Sequence, residues 1–323
     1  MPSWARADWQ VYALQDGGDR QAVPHAGINA PGVAQAAFAA GASLALFDQF
    51  LRTQPPFAGA LRQRLALRAA AACAKPLRLR EDESDLRDAL HLTLPGADPG
   101  RAGRLHSLWC RLARPITPLD ETPIAAMLAL IGAPASIDAG RLAALWQAGA
   151  MPRHPLAAAT RAARAASLPP EFGIEGEILA LWLADFWLAQ SLGWGQGMPL
   201  LATRILGAGI VRGVDGRRLR PSDADWPMAL TQAYGLALND ALGLAQDFCR
   251  RTRKLLELAP KLRAKGASRV IDMLLADDAA SPAGAARIAG LSDRAARRLF
   301  DRLVAEGGVR ELSGRASFRL YGL

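Results

Sequence analysis

Arg294, Arg297 and Arg298 fall at i, i+3 and i+4 in "SDRAARRLFDRLVAEG", directly behind Ser292, a residue suited to capping a helix. A guanidinium offers five donors in a rigid plane. Three on one helical surface suit phosphate oxygens and guanine edges better than they suit acid–base work. A second cationic group precedes them: Arg250, Arg251, Arg253, Lys254, Lys261, Arg263 and Lys265 face only Glu257 between residues 248 and 266. Arg315 stands apart in "LSGRASF". From Phe248 onward the chain has 16 Lys and Arg against 8 acids, so this segment holds +8 of the formal +9. Such placement points to a polyanion. A helix C-terminus also favours cations, which gives part of the 250–265 cluster a purely local cause.

The elements that must position these side chains are legible in the same stretch. "ASRVIDMLLADD" predicts a helix turning Val270, Ile271, Leu274 and Leu275 inward. "SPAGAARIAG" predicts a second, with Ser281 as N-cap, Pro282 at the first helical position and Gly290 as its end. After "LS", Ser292 starts a third helix, 292–306, whose buried stripe is Ala296, Leu299, Phe300 and Leu303. "VREL" and "SFRLYG" flank a Gly-containing turn and predict a short β-hairpin. Val309, Leu312, Phe318 and Leu320 are its expected inward residues. Residues 267–323 thus read as a winged helix-turn-helix, with Arg315 at the tip of the wing. The expected partner is double-stranded DNA. Arg294, Arg297 and Arg298 would approach bases from the helix that Ser292 opens, and Arg315 and the basic arm would grip phosphates. The same residues also suit a module that packs on a protein and leaves its arginines solvated.

The larger part of the chain must carry this module. Its 323 residues allow about two domains. Apolar residues make up 51% but aromatics only 6%, so the apolar content is mostly Ala and Leu and favours helix over sheet. The fold class expected is all-α: a helical body of two packed sub-domains before the winged helix. The plan is an irregular segment 1–32, a helical sub-domain 33–160, a second at 161–266 ending in the basic helix, and residues 267–323. Within the body, "REDESDLRDAL" reads as a helix start whose acids complement the dipole. Residues 150–173 read as a connection holding one small helix, and a long helix is expected from about Pro227 to Leu258. The body would serve a homodimer or a protein partner. Cys73, Cys110 and Cys249 are odd in number and widely spaced, as in a cytoplasmic protein with reduced thiols. No membrane segment is expected, since the most apolar run, "EILALWLADFWLAQSLGW", has Asp185 at its centre.

Catalytic patterns are missing. His25, His91, His106 and His154 are scattered, without HExxH spacing, and there is no GxxxxGK, GxGxxG or GxSxG motif. Asp48, Asp185 and Asp240 each interrupt an apolar helical run, a pattern that fits pairing with arginines better than a convergent acid site. Trp182, Trp187 and Trp194 read as core. No enzyme activity, cofactor or metal is expected.

The run "GLSDRAARRLFDRLVAEGGVRELSGRASFRLYG" resembles the winged helix at the end of Fic-type proteins and of related rhizobial helix-turn-helix proteins. The Fic comparison implies nucleotide transfer by a His base and a Gly-Asn-Gly-Arg turn, and no such turn follows any histidine here. Through "FAGALRQRLALRAAAACAK", "REDESDLRDAL", "LPGADPG", "PKLRAKGASRVIDMLLADD" and "RRLFDRLVAEGGVRELSGR", nearly the whole chain also resembles an uncharacterised domain-of-unknown-function family of α-proteobacteria, often plasmid-borne. That resemblance implies a shared architecture and little about activity. The role it leaves is a regulator or accessory factor of a plasmid or mobile element.

Overall fold

Alanine and leucine at helical spacing produce helices almost throughout. A computed structural model describes residues 32–94, 96–148, 151–167, 172–262, 266–313 and 318–323. In chain order the elements are α1 (Val33–Arg52), α2 (Ala58–Ala74), α3 (Glu83–His91), α4 (Gly100–Leu112), α5 (Glu121–Ile131), α6 (Ala139–Gln147) and α7 (Pro155–Ala166). Then come α8 (Ile174–Ser191), α9 (Ala202–Ile205), α10 (Trp226–Leu258), α11 (Ala267–Ala276), α12 (Pro282–Ala289) and α13 (Asp293–Ala305), and finally β1 (Arg310–Glu311) and β2 (Tyr321–Gly322). The all-α expectation holds. No helix among the described residues is long and apolar enough to cross a membrane.

The described chain divides into two compact units, one of residues 36–41 and 65–238, the other of 32–35, 42–64 and 239–323. In the first, the acidic helix start is a capping box. Asp82 accepts from the Ser84 and Asp85 amides, and the Asp85 carboxylate accepts from the Asp82 amide. Asp120 and Asp138 cap α5 and α6. The small helix expected inside a connection is a core element instead. Helix α7 buries Ala158, Ala159, Ala162, Ala163 and Ala166 and packs closely on α8. Side chains that end at Cβ let two helix backbones approach, so this alanine run works as an interface rather than as a linker. Helix α8 is buried nearly all round, which explains its lack of an amphipathic pattern.

In the second unit, Phe47, Phe50, Phe57 and Phe248 form a chain of rings with successive centroids 6.0, 6.0 and 6.2 Å apart. At Gly59, on α2, a Cβ atom would come within 2.6 Å of the Ala276 carbonyl oxygen at the end of α11. Only glycine permits that approach. Helices α11, α12 and α13 pack in sequence. Ser281 accepts from the Gly284 amide, Pro282 occupies the first turn, and Gly290 closes α12 at φ 65°. Val270, Ile271, Leu274 and Leu275 are buried as expected.

The β structure is smaller than the hairpin expected from "VREL" and "SFRLYG". β1 and β2 are two residues each and antiparallel, pairing Arg310 with Gly322 and Glu311 with Tyr321. Ala280, between α11 and α12, bridges Tyr321 from the other side, giving the lateral order Ala280, β2, β1. Val309 and Leu320 turn inward, and Leu312 is half-buried. Phe318 does not follow them. It is 71% exposed and has φ 59°, a left-handed conformation that breaks strand alternation before Leu320.

Candidate nucleic-acid interface

Helix α13 presents its cations through simple periodicity. Ser292 caps it, its hydroxyl accepting from the Ala295 amide at 3.2 Å. Ala296, Leu299, Phe300 and Leu303 are buried, and Phe300 stacks on Tyr321 of β2 at 4.6 Å. With that stripe fixed, Arg294, Arg297 and Arg298 are exposed, and none has an ion-pair partner among the described residues. Asp293 occupies the first turn, where the positive end of the helix dipole favours it.

The basic end of α10 is held near the other end of α13. Gly308 packs over Leu255 and Leu258, and the Lys254 amine lies beside Gly307. The 13 residues of α13 correspond to roughly 20 Å along the axis. The arm therefore does not merge with the Arg294, Arg297 and Arg298 cluster. It forms a separate cationic patch of Arg253, Lys254 and Lys261, all exposed, with Arg251 partly covered. Arg250 is paired with Asp247. Arg263, Lys265 and Arg315 lie outside the described residues.

Sequence reasoning assigned no role to Arg310 or Arg64. Burial pushes the Arg310 guanidinium below its usual value, and the neighbouring charges of Arg64 and Arg251 push it further, while Asp247 and Asp278 oppose the shift. Strand β1 thus sets a cation near Arg251 of α10, a placement that becomes visible only once β1 is set beside α10. Arg64 has a different task. Its guanidinium pairs with Asp278 out of solvent, lies 5.4 Å from the Phe248 ring centroid and donates to the Leu323 carbonyl at 3.5 Å. A charge on α2 therefore fixes the strand-forming segment between α11 and α12.

The other chemically suggestive residues have structural partners. Asp48 pairs with Arg52 at 2.8 Å, as expected. Asp185 pairs with no arginine among the described residues. Fully buried, its carboxylate accepts from the Leu200 and Leu201 amides at 2.8 and 3.1 Å and from the Tyr234 hydroxyl at 2.9 Å. Burial pushes this carboxyl up to about 7, although the three donors oppose the shift. Trp182 and Trp194 are buried and Trp187 is half-buried, with Trp182 donating to the Leu108 carbonyl at 3.0 Å. His106 is buried, its Nδ1 3.2 Å from the Leu86 carbonyl, and His154 is exposed. Among the described residues no group of three His, Cys, Asp or Glu side chains could hold a metal ion.

The family described as "Protein of unknown function (DUF1403)" matches residues 21–323. Comparison with curated proteins gives no match.

Proposed function

The chain belongs to the DUF1403 family, and we propose that its residues 267–323 form a winged helix that binds double-stranded DNA. The carrying observation is the lateral order Ala280, β2, β1 around α11, α12 and α13. It supports a winged helix because a bridging residue between the first two helices, Ala280, pairs with the second of the two terminal strands, on which Phe300 of the third helix stacks. The exposed, unpaired Arg294, Arg297 and Arg298 are then the base-facing set. Arg315, Arg253, Lys254, Lys261 and the newly apparent Arg310 are the phosphate contacts.

In this reading the protein is a non-catalytic cytoplasmic regulator, or an accessory factor of a plasmid or other mobile element. Selection from random duplexes by the full chain tests it. An enriched motif that Arg294→Ala, Arg297→Ala and Arg298→Ala together erase is the expected result, and enrichment no better than for bulk duplex overturns it.

A second reading, protein contact through the helical body, is favoured by α1. That helix buries Ala36, Ala40, Ser43 and Phe47 while leaving Phe38 at 79% and Leu46 at 63% exposure. Large apolar side chains on an open helix face suit a second copy of the chain or a protein partner. Sedimentation of the full chain distinguishes these, since Phe38→Glu and Leu46→Glu should return a dimer to monomer.

A further inference from the structure

A cavity of about 360 Å³ opens where the end of α4 and the segment leading to α5 face α8. This size falls within the range of about 300–1,000 Å³ typical of small-ligand sites. Trp182 and Phe186 line it with their rings stacked 5.6 Å apart and only 13° from parallel. Because the Trp182 indole N–H is already committed to the Leu108 carbonyl, the ring contributes only apolar surface. Met127 and Leu119 extend that lining. The backbone wall is fixed, since the Ile116 amide donates to the Gly195 carbonyl at 3.0 Å and Pro115 bridges Gln196.

Two cations complete the lining, Arg111 and Arg114, and among the described residues no carboxylate joins them. The nearest acids in sequence are engaged elsewhere. Asp120 caps α5 by accepting from the Thr122 amide, and the Glu121 carboxylate points to the start of α6 beside Gly140. Arginines at a helix C-terminus have a local explanation in the dipole. That explanation does not account for a flat aromatic cavity beside them.

We propose that this cavity binds a small aromatic carboxylate, its ring against Trp182 and Phe186 and its charge on Arg111 and Arg114. A single negative charge fits better than a phosphate dianion, because the negative end of the α4 dipole offsets part of the field of the two arginines. Stacked parallel rings favour a planar body over an acyl chain.

Isothermal titration calorimetry of the full chain with 2-naphthoate and its uncharged amide tests the assignment. The acid binds at least about tenfold more tightly than the amide, as a charge-assisted contact requires. Arg111→Gln with Arg114→Gln brings the two ligands to parity. Met127→Trp, which fills the cavity, removes both, with circular dichroism confirming that each variant is folded. Equal binding of acid and amide, an acid preference that survives loss of both arginines, or no heat for either ligand at millimolar concentration overturns the proposal.

Discussion

Arg64 and Asp278, 214 residues apart, form an ion pair sealed from solvent, their side chains 3% and 1% exposed. The pair ties α2 to the segment that supplies Ala280 to the small sheet. The Phe248 ring and the Leu323 carbonyl also contact the guanidinium.

Removing one partner strands the other charge in a dry site. Arg64→Ala is expected to cost about 3–5 kcal/mol in urea denaturation, and Asp278→Ala a comparable amount. Arg64→Met combined with Asp278→Leu should lose less than either single change, because no unpaired charge remains. Single losses below about 1 kcal/mol would show the pair to be solvated.

Gly59 tests the same junction by packing. Alanine there would place its Cβ 2.6 Å from the Ala276 oxygen, a backbone atom that cannot rotate away. Gly59→Ala should therefore destabilise the protein by about 1–3 kcal/mol despite the better helix propensity of alanine. Thermal melts of the two proteins give the sign directly. Stabilisation would mean that α2 and α11 separate freely at this point.

The local part of this architecture was legible because its signals lie within a few residues of each other. Ser281, Pro282, Gly290 and Ser292 bound α12 and open α13 as their chemistry dictates. The 3.6-residue stripe that buries Leu299 and Phe300 equally predicts that Arg294, Arg297 and Arg298 face outward. What escaped the sequence depends on long-range placement. Ala280 joins a sheet although alanine carries little strand signal. Arg64 sits within an ordinary arginine-bearing helix and gives no hint of its partner. The alanines of α7 looked like a linker because small side chains carry little hydrophobic contrast, yet they form a close helix interface. Asp185 was expected to meet an arginine and instead meets backbone amides, donors that have no residue-specific signature.

Asp185 also predicts a pH dependence. Its carboxyl titrates at about 7 in the folded chain, above the ordinary value of 3.8. Protonation therefore favours the folded state: the contribution is complete below about pH 4 and is lost as pH rises through about 7. Compared with Asp185→Asn, the parent protein should lose stability progressively across that window when denatured with urea. A difference that grows in the opposite direction would show that the three hydrogen-bond donors outweigh burial. Tyr234→Phe, which removes one donor, should cost about 1 kcal/mol near neutrality.

The proposed DNA contact runs through α13, with phosphate support from α10 and β1. Its most direct test is fluorescence anisotropy of a duplex of about 25 bp, long enough for the module and its flanks, titrated with the full chain between about 50 and 200 mM salt. The parent protein should bind at submicromolar concentration at the low end, with affinity falling as salt rises by about 0.9 log units per log unit for each phosphate neutralised. Replacing Arg253, Lys254 and Lys261 by alanine should flatten that slope by about two to three units, while replacing Arg294, Arg297 and Arg298 should abolish discrimination between duplexes. Micromolar or weaker binding that neither triple replacement changes would contradict the account.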